Sequence, residues 1–188
     1  MEEKRNFDLL TLGQVLLRLS PPNNDRLVRG DTFVKQVGGA ELNVAVGVAL
    51  LGLRTGVISK LPSHDMGSFM KGKIRSYGVS DDFFMYDDSP SARVGIYYYE
   101  NGAYPRKPKV IYDRANSSFY SLKIDEIPEK AYTASRCFHT SGITLALSPK
   151  VRETAIEMIK RFKAAGTLVS FDVNFRGNLW TGEEAKEC

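Results

Sequence analysis

The sequence predicts an α/β protein: a mostly parallel sheet with helices on both faces, joined by a small extra β-layer. Three observations carry that class. Strand-like and helix-like segments alternate along most of the 188 residues, the pattern of a parallel sheet covered by helices. Glycines at 13, 38, 39, 52, 78 and 166 fall where those segments end, as punctuation between elements. One stretch, residues 93–113, breaks the rhythm with two strands too polar for the centre of a parallel sheet, which is buried on both faces.

The first strand is expected at Phe7–Leu12, ended by Gly13. Two short β-rich pieces follow at 15–19 and 33–37, held apart by the breaker Pro21-Pro22-Asn23-Asn24. After Gly38-Gly39 a helical pattern runs over 41–51 to Gly52, then a strand over 55–59. A helix over 65–77 ends with Gly78 in the position after its cap, where a left-handed residue is needed. Further strands are expected at 83–86, 137–141 and 167–174. Between the last two lies the clearest helix: Ser148 caps it, Pro149 suits its first position and Gly166 its end. Val151, Ala155, Met158, Ile159 and Phe162 share one apolar face of it.

The irregular strands, 93–100 and Lys109–Asp113, read as a hairpin standing off the main sheet and pairing with the two short pieces before residue 38. Together they form a four-stranded lid. The chain is thus read as one domain, its core at about 1–14, 38–88 and 116–188 and its lid at about 15–37 and 89–115. Near the C-terminus Thr181-Gly182-Glu183-Glu184 is a capping box opening a helix that the chain leaves very short at Cys188. The expectation is the N-terminal portion of a longer protein, with the C-terminal part absent.

Composition narrows the function classes. With 43% hydrophobic and 26% charged residues the chain is an ordinary globular one, neither disordered, collagen-like nor a coiled coil. Twenty-six Lys+Arg against 22 Asp+Glu leaves +4, with the signs interleaved, so no nucleic-acid partner is expected. No stretch reaches the ~20 apolar residues of a membrane helix; the longest run, 44–51, is interrupted by Gly47. Residues 1–5 lead into Leu9-Leu10 without a signal-peptide core. Two cysteines, Cys137 and Cys188, make no disulfide framework and no metal spacing. A cytoplasmic protein without a membrane partner is expected.

Candidate chemistry starts at Gly38-Gly39-Ala40. A glycine pair before a helix offers backbone N–H groups to a ligand, or it simply makes a tight turn. It is neither a dinucleotide fingerprint nor a Walker loop. In the strand 93–100, Arg93, Gly95, Tyr97 and Tyr99 share one side and Val94, Ile96 and Tyr98 the other; Tyr112 and Arg114 share a face on the next strand. Phenols bond hydroxyls and a guanidinium forks onto a carboxylate, so that face suits a polyhydroxylated acid. Alternatively Arg114 pairs with a surface acid and the tyrosines only cover the sheet. Arg176 follows Asp172-Val173-Asn174 at a strand's carboxyl end, where open α/β sheets bind ligands; it either meets an anion or makes a salt bridge. His64 and His139 are assigned no chemistry, Cys137 is a core residue and Trp180 packs near the last helix.

The run Gly38-Gly39-Ala40-Glu41-Leu42-Asn43-Val44-Ala45, with Gly52 beyond it, resembles the N-terminal signature of the ribokinase-like (PfkB-type) carbohydrate kinases. Residues 53–67 resemble the strand and helix start next to that signature in the family. Pro62 and Ser63 depart from the family's Gly and acid, and Gln14 replaces an acidic residue; Gln can donate where a carboxylate only accepts. Residues 139–149, Asp172-Val173-Asn174-Phe175-Arg176 with Leu179-Trp180, and the two hairpin strands resemble the 2-keto-3-deoxygluconate kinases of that family.

The resemblance implies a ribokinase-like fold and ATP-dependent phosphorylation of a sugar acid, 2-keto-3-deoxygluconate. It implies substrate contacts at Gly38, Gly39, Asn43, Tyr97, Tyr112, Arg114, Ile143 and Arg176, with Arg176 also stabilising charge in catalysis. ATP and Mg²⁺ are implied for the full-length enzyme. The catalytic aspartate belongs to a G-A-G-D-type motif that these residues do not contain, so the chain itself is expected to hold no cofactor or metal site and to be inactive alone. A homodimer through the lid is implied, consistent with Val94, Ile96 and Tyr98 as a free apolar face. Two other readings stand beside this one: a kinase of the same fold for a neutral sugar such as fructose or ribose, or for a nucleoside; and a non-catalytic binding or assembly module.

Overall fold

The structure, a computed structural model, describes residues 5–188. The start of the expected first core segment and most of the N-terminal charged run, residues 1–4, lie outside the described residues. The strands are β1 (Phe7–Leu12), β2 (Leu16–Ser20), β3 (Val34–Gly38), β4 (Thr55–Pro62), β5 (Val79–Asp87), β6 (Gly95–Glu100), β7 (Lys109–Asp113), β8 (Ser135–Ser141) and β9 (Leu168–Asp172). The helices are α1 (Ala40–Leu50), α2 (Asp65–Ser76), α3 (Lys130–Thr133), α4 (Gly142–Ala146), α5 (Pro149–Ala164) and α6 (Gly182–Glu187). None of them is long and apolar enough to cross a membrane.

Two sheets form. The larger, in the order β5-β4-β1-β8-β9, is parallel throughout. The smaller, in the order β3-β2-β6-β7, mixes antiparallel pairs with one parallel pair, β2 beside β6. The off-sheet hairpin and its pairing with the two early pieces therefore form as the sequence predicts.

Each face of the large sheet has its own core. On one, Leu10, Leu12, Ile58, Phe138, Met158 and Phe162 are buried together, with the Phe138 ring stacked on Phe162 at 4.1 Å between centroids. On the other, Leu17, Leu42, Val57, Met70, Ile74 and Val94 form a second cluster that joins α1, α2 and the small sheet. Burying side chains of this size supplies about 1.5–3 kcal/mol each. The α5 helix is built as its sequence suggests: Ser148 Oγ accepts from the Val151 N–H at 3.2 Å, Pro149 opens the first turn and Gly166 takes a φ of 71°. Ser148→Ala is expected to lower stability by about 1 kcal/mol, read as a shifted urea midpoint.

Three expectations are corrected. Strands β4 and β5 extend past 55–59 and 83–86 because their polar positions find partners: Lys60 is 2.6 Å from Glu126, and Asp81 meets Lys71 at 3.2 Å. The short helices α3 and α4 are new, being too brief to show a period. The apolar lid face is not free at Val94 and Ile96. Val94 is 7% exposed and Ile96 packs on the same cluster, so the chain covers that face itself; Tyr98 meets Phe33 edge to face at 6.0 Å.

Candidate active site between sheet and lid

A cavity of about 290 Å³ opens at the carboxyl ends of the parallel strands, beneath the small sheet. The core supplies its floor. Gln14 comes from the turn after β1, Gly39 and Asn43 from the start of α1, Ile143 from α4 and Arg176 from the segment after β9. The lid supplies its roof: β6 brings Tyr97 and Tyr99, and β7 with the residue beyond it brings Tyr112 and Arg114. Period-two alternation puts these four on one side, and the register pairs Tyr97 with Tyr112.

Of the expected site residues, Gly39, Asn43, Tyr97, Tyr112, Arg114, Ile143 and Arg176 line this cavity. Gly38 stands just behind it, where a Cβ would come 2.5 Å from the Tyr97 hydroxyl. Gly39 has a φ of 150° and an added Cβ would lie 2.7 Å from the Gln14 carbonyl, so glycine is demanded there by close backbone approach, whereas at Gly38 the crowding comes from the end of the Tyr97 side chain. Arg93, on the same predicted face, does not join; it pairs with Asp113 at 2.8 Å.

Among the described residues the two arginines make none of the salt bridges that were the alternative. Arg114 donates from Nε to Gln14 Oε1 at 2.7 Å and has no acidic partner among the described residues. Gln14 in turn donates to Ser117 Oγ at 2.6 Å and to the Arg114 carbonyl. Its amide is therefore spent on holding Arg114, which needs both donor and acceptor. A carboxylate there could not do both. Burial pushes the Arg114 guanidinium below its ordinary value. Among the described residues Arg176 reaches only the Phe175 carbonyl, at 3.3 Å.

Two charged contributors were missed. Arg18, paired in register with Tyr97, lines the cavity with its guanidinium 4.4 Å from the Tyr99 ring centroid; its alternation with Leu16 and Ser20 is a legible signal. Glu41 also lines it and is 1% exposed. Ser141 Oγ and Thr144 Oγ1 both donate to Glu41 Oε1, at 2.5 and 2.8 Å. Burial nonetheless raises this carboxyl above its ordinary value.

The residues assigned no chemistry have structural roles. His64 Nδ1 accepts from the Met66 N–H at the start of α2. His139 Nδ1 lies 3.0 Å from Ser170 Oγ, and burial lowers its basicity. Burial raises the Cys137 thiol, away from the reactive thiolate. Trp180 is buried in the first core cluster with the Arg152 guanidinium 5.3 Å from its ring. Among the described residues no group of three or more His, Cys, Asp or Glu side chains converges as a metal site.

A polar cavity at the carboxyl ends of a parallel sheet, roofed here by a β-layer of tyrosines and arginine, is where α/β folds commonly bind small molecules. The profile of the pfkB family carbohydrate kinases matches residues 6–188. The chain belongs to that family. It is 38% identical over 181 residues to a 2-dehydro-3-deoxygalactonokinase of Haloferax volcanii, covering 96% of this chain and 56% of that one. The crystal structure of 2-dehydro-3-deoxygluconokinase from Thermotoga maritima matches 95% of this chain and 54% of its own at a TM-score of 0.90 and 38% identity. An uncharacterized sugar kinase from Pyrococcus horikoshii, in complex with ATP, matches 95% and 57% at 0.80 and 27%. The chain thus spans about half the length of the relatives it matches.

Proposed function

We propose that this chain carries the sugar-acid-binding half of a kinase that phosphorylates 2-keto-3-deoxygluconate with ATP. The observation that carries the reading is the charge of the cavity wall: Arg18, Arg114 and Arg176 line it against a single acid, Glu41. A carboxylated ligand supplies the anion that Arg114 lacks, and the tyrosine hydroxyls suit its hydroxyl groups. Two relatives bear the names of dehydro-deoxy sugar-acid kinases, which supports the same substrate class. A neutral sugar or a nucleoside leaves the guanidinium groups without a counter-charge. Arg176, at the strand end, is placed to hold the acid or to stabilise charge developing on a transferred phosphoryl group.

In this reading the base and the ATP and Mg²⁺ sites lie outside these residues, in a cytoplasmic enzyme. A homodimer through the lid then rests on its outer strand, where Ile111 is 45% exposed, not on Ile96. The expected result with residues 1–188 is saturable binding of 2-keto-3-deoxygluconate by calorimetry, at least about tenfold tighter than fructose or ribose, and no ADP formation with MgATP. Equal binding of all three sugars refutes the substrate class. Steady ADP formation by the chain alone refutes the division of labour.

A further inference from the structure

The acid in the cavity wall is the one charge that would cancel the arginines, and its surroundings decide whether it does. We propose that Glu41 is a specificity determinant that faces the cavity as an uncharged carboxylic acid, so that the guanidinium groups are left for an anionic ligand. The inference rests on the sugar-acid reading above for its ligand and on geometry for Glu41.

Glu41 is the only charged residue of α1, and its side chain is enclosed rather than solvated. An isolated carboxylate in such a place loses its hydration and neutralises unless a cation meets it. No ion pair to Glu41 forms among the described residues. Its immediate neighbours are the hydroxyls of Ser141 and Thr144 at the β8–α4 turn and Gly13 after β1, where a Cβ would fall on the carboxylate. The ionisable groups that share the cavity are Arg18 from β2, Tyr97 and Tyr99 from β6, Tyr112 from β7, and Arg114 and Arg176. On β8, His139 is engaged with Ser170. Of these groups the arginines alone favour an ionised Glu41, and Arg114, the one whose attraction is felt, is held by Gln14 instead. Desolvation outweighs that attraction and both hydroxyl bonds, and the carboxyl lies above its ordinary range.

Below its titration Glu41 adds no charge, and an anionic ligand meets the arginines unopposed. Above it, a carboxylate at the cavity wall repels the acid while leaving a neutral sugar nearly unaffected.

Two measurements test this. Infrared difference spectra, wild type minus Glu41→Gln, read the carboxylic C=O stretch of Glu41 in the free protein near pH 6, above the ordinary range of a glutamate. The band is expected to be present. Its absence overturns the inference whatever the protein binds. In the second, calorimetry gives the affinity for 2-keto-3-deoxygluconate and for fructose from acid to alkaline pH. Glu41→Gln, which keeps the shape and removes the charge, is expected to bind the acid within about threefold of wild type near pH 6 and to show no further pH dependence from this site. Wild-type affinity for the acid should fall, by about tenfold or more, as the infrared band is lost, while that for fructose holds. A loss of more than about tenfold in Glu41→Gln near pH 6, with an unchanged circular dichroism spectrum, would show that the negative charge is needed and overturn the inference. Loss of the band with no change in acid affinity would do the same. A wild type that shows the band and prefers fructose leaves Glu41 uncharged, as inferred, and sinks the sugar-acid reading instead.

Discussion

Arg114→Ala is expected to weaken binding of 2-keto-3-deoxygluconate by about 1.5–3 kcal/mol, roughly ten- to a hundredfold. The guanidinium is fixed through Nε by Gln14 at 2.7 Å, so its terminal nitrogens are oriented before any ligand arrives. A charge-assisted fork made by a pre-oriented group loses little conformational entropy on binding. Lysine keeps the charge but neither the fork nor the bond to Gln14, and Arg114→Lys should recover only part of the loss. Fructose binding should change little in either variant. The assignment of Arg114 to the carboxylate fails if the alanine variant, folded by circular dichroism, binds the acid as tightly as wild type.

Gly13→Ala is expected to destabilise the fold by about 2–6 kcal/mol, because two buried hydroxyls would each lose a partner at about 1–3 kcal/mol. An added Cβ would overlap the Glu41 carboxylate and lie 2.8 Å from the Glu41 Cβ. The side chain cannot turn aside cheaply, since Ser141 and Thr144 hold it from the other side. Urea unfolding measures the loss, and Gly47→Ala is the matched control. Gly47 lies in α1 with open space where a Cβ would go, so alanine there should add about 0.4–1 kcal/mol of stability. If both variants unfold at the wild-type midpoint, the packing around Glu41 is looser than described.

The parts of the fold that were legible are those whose signals are local. The α5 helix carries its cap, its first proline and its apolar face within one window, and β6 and β7 announce their faces by alternation. The site was half legible for the same reason: Tyr97, Tyr112 and Arg114 follow from strand period, and Arg176 from its place after a strand. What escaped was non-local. Glu41 meets Ser141 and Gln14 meets Arg114 across 100 residues each, and no spacing rule links them. The single charge in an apolar helix was the available sign of Glu41. The covered face at Val94 and Ile96 failed differently: alternation shows that two faces exist, but only the packing of α1 and α2 shows which one is covered.

The cavity draws its wall from residue 14 through residue 176, nearly the span of the described chain, and this has a kinetic meaning. Contacts between distant residues form only after long loops have closed, so regions rich in them are slow to assemble. Helix α5 and the β6–β7 hairpin can form from nearby residues, whereas Gln14, Arg114 and Arg176 come together only when both sheets are in place. Competence to bind is therefore expected to come late on refolding. A ligand that fits the finished cavity holds the native state by mass action alone, and its binding signal measures the fraction of chains that have completed the fold.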